Sequence, residues 1–120
     1  MTLKRQTIDF DDLLLLPLRL FEKHPEILQK YRSRYSFFSI DEFQDTNAVQ
    51  LKLALLLAGP DNNIMAVGDD DQGIYSWRGA DINNILSFPQ HFPGCCKIVL
   101  DTNYRSTPTI LGGAMAVVSV

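Results

Sequence analysis

Two adjacent carboxylates, Asp41 and Glu42, are the residues of this chain that point most directly to chemistry. They follow a short apolar run that contains Phe37, Phe38 and Ile40, a composition typical of a strand buried on both faces of a parallel sheet. The carboxyl end of such a strand lies at the rim of an open α/β sheet, where ligands bind. The pattern therefore predicts a pair of acids at a ligand-binding rim.

The two acids suit different tasks. Asp41 can hold Mg²⁺ through one carboxylate oxygen, the usual contact of a nucleotide-bound magnesium ion with protein. Glu42 can orient and deprotonate an attacking water molecule. An apolar strand that ends in Asp-Glu is the Walker B pattern, although a strand ending in a solvated acidic turn gives the same sequence. The polar neighbours Gln44 and Asp45 favour the nucleotide-binding interpretation.

A second polar cluster, residues 68–80, follows the apolar run at residues 64–67. Its three aspartates, Asp69, Asp70 and Asp71, do not fit a calcium-binding loop, because a glycine falls one place early and the twelfth position is not glutamate. A metal-dependent nuclease built on these aspartates is one alternative, but no further acid or lysine completes such a site.

The same cluster combines a neutral amide with aromatic side chains. Gln72 can contact both a phosphate oxygen and a water molecule. Tyr75, Trp77 and Arg78 follow it closely, and exposed aromatics beside an arginine can stack on single-stranded bases, each stack contributing about 1–3 kcal/mol. Packing of Trp77 in the core is the alternative. The loop is therefore expected to couple phosphate sensing to the binding of bases.

Residues 101–108 form a third polar cluster after the apolar run at residues 97–100. Arg105 precedes a predicted helix start, where its guanidinium can reach a phosphate shared with the other two clusters. Tyr104 can stack on a nucleotide base. An ordinary turn between a strand and a helix would have the same composition.

The elements that must position these clusters are strands alternating with helices. Apolar runs at residues 37–40, 64–67 and 97–100 each lead to an acid, and a strand, helix, strand order gives a right-handed parallel unit. The predicted fold class is α/β, with three layers and a parallel sheet of about three strands flanked by helices. The chemistry would lie on one rim of that sheet.

Helix signals refine this prediction. The first helix is expected to be largely buried and to be kinked or ended by Pro17. Asn47 and Gln50 resemble a capping box at the start of the helix between the first two strands. Gly112 and Gly113 are expected to interrupt the last helix.

Composition sets the outer limits. The 120 residues form at most one domain, with a helical lead-in at 1–35 and a cluster-bearing part at 36–120, and 46% hydrophobic and 21% charged residues describe an ordinary globular protein. No apolar run approaches the roughly 20 residues of a membrane span, and no signal-peptide pattern is present. The adjacent Cys95 and Cys96 favour a reducing cytoplasm. A net charge of −3 argues against nucleic-acid binding through a broad basic surface.

Together, residues 41–47, 68–80 and 103–107 resemble motifs II, III and IV of the UvrD/Rep/PcrA group of superfamily 1 DNA helicases. The segment 8–14 resembles the stretch that precedes motif II in the same family. The resemblance implies a RecA-like P-loop NTPase domain, ATP and Mg²⁺ as cofactors, and ATP-driven movement from 3′ to 5′ along single-stranded DNA. It also implies a role in DNA repair or replication in the bacterial cytosol.

The resemblance assigns roles position by position. Asp41 would coordinate Mg²⁺, and Glu42 would be the catalytic base. Gln72 would contact the γ-phosphate, and Arg105 would act as an arginine finger within the chain, which makes both of them catalytic residues. Tyr104 would stack on the adenine and, with Asp41 and Arg105, bind the nucleotide.

Further positions complete this assignment. Gln44 is placed among the nucleotide-binding residues, and the single-strand track would be lined by Tyr75, Trp77 and Arg78. Gly73 stands where the family often has serine.

The chain also departs from the family pattern. It contains no Gly-x-x-x-x-Gly-Lys-Thr loop, and nothing in it resembles the later motifs. The expected unit is therefore a partial RecA-like domain without the Walker A strand, inactive alone and dependent on the remainder of a helicase chain. A degenerate, non-enzymatic module that binds DNA or protein is the alternative.

The missing strand has a structural consequence. In a RecA-like sheet it would lie between the strands at residues 64–67 and 97–100, and without it both have an open hydrogen-bonding edge. The two strands are therefore expected to pair with each other or with a second copy of the chain.

Overall fold

The computed structural model describes residues 7–61 and 63–118, so the predicted domain limits at residues 1 and 120 lie outside the described residues. The elements in chain order are α1 (Asp12–Lys23), α2 (Pro25–Arg34), β1 (Phe38–Ile40), α3 (Ala48–Ala58), β2 (Ile64–Ala66), α4 (Asn83–Leu86), α5 (Phe88–His91) and α6 (Pro108–Val118). Single 3₁₀ turns lie at Phe43–Asp45, Gly59–Asp61, Asp70–Gln72 and Ser76–Arg78.

The first three helices pack against one another. Their shared core contains Leu18, Phe21, Leu28, Ala54 and Ala58. The predicted end of the first helix at Pro17 is wrong, because α1 runs through this residue. The expectation that α1 is largely buried is also wrong, since only two of its side chains are buried. Leu14 and Leu15 are half-buried, and Leu13, Leu16 and Leu20 are exposed.

The start of α3 follows the sequence prediction. Asn47 Oδ1 accepts hydrogen bonds from the amides of Val49 and Gln50, both at 3.0 Å, and Gln50 Oε1 accepts from the Asn47 amide at 2.9 Å. This reciprocal pattern is a capping box and satisfies amides that have no partner within the helix. The predicted capping box is therefore confirmed.

The sheet consists of two parallel strands connected through α3. Phe38 of β1 pairs with Ile64 of β2, and Ile40 pairs with Ala66. The pairing continues past the strands, where the Val67 amide donates to the Ile40 carbonyl at 2.8 Å. The predicted strand, helix, strand unit with parallel strands is confirmed.

The sheet is smaller and more exposed than expected. Its side chains alternate between half-buried and exposed along both strands, and Phe37, just before β1, is largely exposed. The prediction of a strand buried on both faces is therefore wrong for β1. Ser39 and Met65 are exposed at the centres of the two strands, and the expected three-layer arrangement stays a prediction.

The predicted third strand at residues 97–100 is not formed. The segment has no regular structure, and Ile98, Val99 and Leu100 are 78%, 70% and 85% exposed. A strand is stabilised by hydrogen bonds to a neighbouring strand, and this segment pairs with neither β1 nor β2. The expectation that it pairs with β2 in the same chain is therefore wrong.

The last helix is continuous through both of its glycines. Gly112 and Gly113 lie inside α6, so the predicted interruption is wrong. Two glycines cost about 2 kcal/mol of helix stability relative to alanine, which lowers the stability of a helix without dictating a break. In the described part of the chain, no helix is both long and apolar enough to cross a membrane.

Candidate functional site

The acidic pair occupies a tight turn directly after β1. Glu42 has φ 51° and ψ 44°, and within the described residues it is the only non-glycine residue with a positive φ. Asp41 Oδ1 accepts a hydrogen bond from the Glu42 amide at 2.9 Å. Both side chains are exposed. A bulky residue in the left-handed region persists only where its surroundings hold it, and such residues cluster at functional sites.

The side chain of Gln44 restrains this turn through two hydrogen bonds. Its Nε2 donates to Glu42 Oε2 at 2.7 Å, and its Oε1 accepts from the Asp69 amide at 3.1 Å. The side chain is only 2% exposed. Gln44 therefore joins the turn after β1 to the loop after β2.

Gly68 has no side chain, and this leaves room for Gln44 to contact the loop after β2. A Cβ at position 68 would lie 2.5 Å from Gln44 Oε1 and 3.2 Å from the amide nitrogen of Phe43. Real Cβ atoms essentially never approach other heavy atoms closer than 3.0 Å. Any side chain at position 68 would therefore force Gln44 to shift, although Gly68 does not have a positive φ.

A buried polar cluster of Thr46 and Asn84 lies next to this turn. Thr46 Oγ1 donates to the Phe43 carbonyl at 2.7 Å. Asn84 Nδ2 donates to the carbonyl of Thr46 at 2.9 Å and contacts its hydroxyl at 3.2 Å. The Phe43 ring, which is fully buried, packs edge to face on Phe88 with ring centres 5.4 Å apart. Sequence reasoning missed Thr46 and Asn84, and nothing in the sequence around Asn84 marks it.

The loop after β2 is organised by Asp69. Its Oδ1 accepts from the Asp71 amide at 3.0 Å, and its Oδ2 accepts from Gln72 Nε2 at 2.7 Å. Through these two hydrogen bonds, Asp69 shapes the loop and restrains Gln72. Among the described residues, no group of three or more acidic, histidine or cysteine side chains could hold a metal ion.

The aromatic residues of the loop form one exposed cluster. The guanidinium carbon of Arg78 lies 4.5 Å from the ring centre of Trp77 and 5.2 Å from that of Tyr75. The two ring centres are 6.4 Å apart. Trp77 is 72% exposed, so it is a surface residue and the alternative of core packing does not hold. The structure thus brings together the three residues predicted to contact bases.

The third cluster is a turn that is shaped by its own hydrogen bonds. Asn103 Oδ1 accepts from the amides of Arg105 at 2.9 Å and Ser106 at 2.8 Å, which shapes the turn before α6. Tyr104 is 94% exposed. Within residues 7–61 and 63–118, no hydrogen bond or ion pair joins the Arg105 guanidinium to either acidic cluster. The expectation that Arg105 reaches a phosphate shared with the other two clusters therefore stays a prediction.

The site fits part of an ATP-hydrolysing centre. Asp41 offers an exposed carboxylate, the kind of oxygen ligand that Mg²⁺ prefers, and Glu42 offers a second carboxylate beside it. In addition, Asp45 Oδ1 is buried and has no hydrogen-bond partner among the described residues. The sequence contains no glycine-rich loop with lysine to bind the phosphates. Asp41 and Glu42 thus fit the carboxylate part of such a centre, and their roles in it stay predictions.

An acidic pair at the end of one parallel strand, linked to a polar loop at the end of the next, forms the kind of α/β rim at which ligands bind. The UvrD/REP helicase N-terminal domain matches residues 2–93 of this chain. The chain thus belongs to the UvrD/Rep helicase family, which confirms the family resemblance seen in the sequence. The assignment to motifs II, III and IV stays a prediction.

Two relatives give the scale of this similarity. The ATP-dependent DNA helicase PcrA of Staphylococcus aureus is 48% identical over 115 residues, which cover 96% of this chain and 16% of that protein. The ATP-dependent DNA helicase PcrA of Bacillus subtilis is 47% identical over 116 residues, covering 97% and 16%. The chain therefore spans about a sixth of the length of the relatives that it matches.

Proposed function

We propose that this chain supplies the metal-binding and hydrolytic rim of an ATP-dependent DNA helicase that moves from 3′ to 5′ on single-stranded DNA in repair or replication. Family membership and the names of the relatives support this proposal. The observation that carries it is the turn after β1, where Asp41 and Glu42 are exposed and Gln44 links the Glu42 carboxylate to the Asp69 amide of the neighbouring loop. We place the parent protein in the bacterial cytosol, as the two free cysteines favour.

Each acid has a distinct task in this proposal. When bound, Mg²⁺ would neutralise charge on the terminal phosphates of ATP. Asp41 would hold the ion, and Glu42 would accept a proton from the attacking water. Gln72, held by Asp69 beside the same turn, would contact the γ-phosphate. By resemblance, Arg105 would act as the arginine finger and Tyr104 would stack on the adenine.

DNA binding would rest on the cluster of Tyr75, Trp77 and Arg78. With a net charge of −3, the chain has no excess of cations to attract the DNA backbone. Exposed rings and an arginine placed over them can stack on bases of any sequence. This suits a protein that must pass along single-stranded DNA regardless of sequence.

The rest of the helicase would complete both the site and the sheet. A cavity of about 720 Å³ lies beside β2, and its walls include Ile64, Ala66, Gly68, Phe92 and Ile98. A further parallel strand that ends in a phosphate-binding loop would fit between β2 and residues 97–100, giving a RecA-like, three-layered domain. Until such a strand is present, the chain lacks a phosphate cradle, and we expect it not to hydrolyse ATP alone.

The experiment that tests this function uses Bacillus subtilis PcrA in which this chain replaces the matching segment. We expect the chimera to hydrolyse ATP in response to single-stranded DNA. Glu42→Gln should lower kcat roughly 100-fold or more, since a general base contributes about 10²–10⁴ in rate. Hydrolysis unaffected by Glu42→Gln would refute the role of Glu42. DNA binding by a well-folded chimera without any hydrolysis would favour the non-enzymatic module instead.

A further inference from the structure

The geometry points to Gln44 as a positioning residue that holds Glu42 and the Gln72 loop as one unit, an inference that rests on the proposed ATP hydrolysis. Gln44 would not touch the nucleotide. It would act through its two hydrogen bonds, one to the Glu42 carboxylate and one to the Asp69 backbone. This differs from the assignment of Gln44 to nucleotide binding that the sequence suggested.

Burial and bonding argue against direct contact with a ligand. Gln44 is 2% exposed, and both ends of its amide are already bonded within the protein. The orientation of the amide is fixed by chemistry, because the carboxylate of Glu42 can only accept and the amide of Asp69 can only donate. A ligand could reach the amide only by breaking one of these bonds, which would leave a buried polar group unsatisfied.

The surroundings are shaped to fit this side chain. A Cβ at Gly68 would collide with Gln44 Oε1, and a Cβ at Gly73 would touch Gln44 Cγ at 3.9 Å. The loop thus passes over the Gln44 side chain near both glycines. The Gln44 side chain therefore fits closely between the turn after β1 and the loop after β2.

The hydrogen bonds continue to the residue proposed to sense phosphate. Gln44 binds the amide of Asp69, and the carboxylate of Asp69 binds Gln72 Nε2 at 2.7 Å. An unbroken series therefore runs from Glu42 through Gln44 and Asp69 to Gln72. Movement of Gln72 on contact with the γ-phosphate would therefore change the orientation of Glu42. Movement of Glu42 would likewise change the position of Gln72.

The test compares Gln44→Met with Gln50→Met in the Bacillus subtilis PcrA chimera described above. Methionine keeps the length of glutamine and removes both hydrogen bonds of Gln44. Gln50→Met is the matched control, because it makes the same substitution and removes the bond from the Asn47 amide to Gln50 Oε1 without touching Glu42 or Asp69. Thermal unfolding of both variants establishes that each chimera is folded at the assay temperature.

We expect Gln44→Met to lower kcat for ATP hydrolysis roughly tenfold or more, with KM for ATP changed less than about twofold, because the base is misplaced while nucleotide contacts remain. Gln50→Met should leave kcat within about twofold of the parent chimera. A Gln44→Met variant with an unchanged kcat would overturn the inference, and so would a rise in KM alone, which would indicate direct nucleotide binding.

A second measurement is independent of hydrolysis. In the 120-residue chain, the Asp69 amide should exchange with solvent faster after Gln44→Met, since its acceptor is lost, and Gln50→Met should change it less. Unchanged exchange at Asp69 would contradict the proposed bridge even if ATPase activity fell. Failure of the unmodified chimera to hydrolyse ATP would count against the proposed function, while the exchange experiment would still decide whether Gln44 bridges the two segments.

Discussion

The side-chain amide of Asn84 donates to the carbonyl oxygen of Thr46 at 2.9 Å and contacts its hydroxyl oxygen at 3.2 Å, across 38 residues of sequence. Both residues are buried. The contact ties the start of α4 to the turn after β1, and Thr46 passes the connection on to the Phe43 carbonyl. The acidic turn is therefore followed by a buried, hydrogen-bonded cluster that joins Phe43, Thr46 and Asn84.

This cluster predicts a stability effect that is separate from catalysis. Asn84→Ala leaves the Thr46 carbonyl with fewer donors in a buried place, so unfolding free energy should fall by about 1–3 kcal/mol. Urea unfolding of the chain, followed by the fluorescence of its single tryptophan, measures this change. Asn83→Ala, at an exposed neighbour of Asn84, is the control and should have a smaller effect. Equal effects of the two substitutions would contradict the importance of the buried contact.

Gly68 gives a second prediction through its contact with Gln44. Gly68→Ala should destabilise the chain by roughly 2 kcal/mol or more, because the added Cβ overlaps Gln44 Oε1 and can move little against the backbone of Phe43. In a Gln44→Ala background the same substitution should cost less, and the difference is the coupling between the two positions. Chemical unfolding of the four variants completes the cycle.

Gly113 provides the matched control for that cycle. It lies inside α6, and a Cβ there would have no heavy atom within 4 Å. Gly113→Ala should therefore stabilise the chain by about 0.5–1 kcal/mol through helix propensity.

The outcome that would contradict the coupling between positions 44 and 68 is additivity. If the costs of Gly68→Ala and Gln44→Ala simply add in the double variant, the two side chains do not compete for space.

Local features of the fold were the ones that the sequence predicted well. The capping box at Asn47 and Gln50 depends on residues three apart, and the two paired strands are short apolar runs joined by a single helix. The glycine pair in α6 was misjudged, because a cost of about 1 kcal/mol per glycine competes with the cooperativity of a whole helix.

Features that depend on distant partners were harder to predict. Residues 97–100 have the composition of a strand, but a strand also needs a neighbour, and in the described residues none pairs with it. The residues of the candidate site also divide into those recognisable locally and those that depend on distant contacts. Asp41 and Glu42 stood out by type and spacing, whereas the roles of Gln44 and Asn84 depend on contacts across 25 and 38 residues of sequence.

The aromatic cluster predicts how the chain contacts DNA. Trp77→Ala should weaken binding of an oligothymidylate by the chimera by about 1–3 kcal/mol, since one base stack and the ring beneath Arg78 are lost. Fluorescence anisotropy of a labelled oligonucleotide at fixed salt measures this affinity. Phe37→Ala removes another exposed ring, at the opposite end of β1, and should leave the affinity unchanged. Equal losses from the two substitutions would argue against a specific base-contacting cluster.

The free edge of β2 and the exposed segment at residues 97–100 predict self-association of the isolated chain. Unpaired backbone groups beside exposed apolar side chains favour pairing between copies. Val99→Lys places a charge in the middle of that segment and should shift the chain towards monomer, as measured by sedimentation velocity over a range of concentrations. Phe10→Lys adds the same charge at another exposed apolar position, outside the segment, and should leave the association unchanged. A wild-type chain that stays monomeric at high concentration would contradict this prediction, and the open edge would then be protected in some other way.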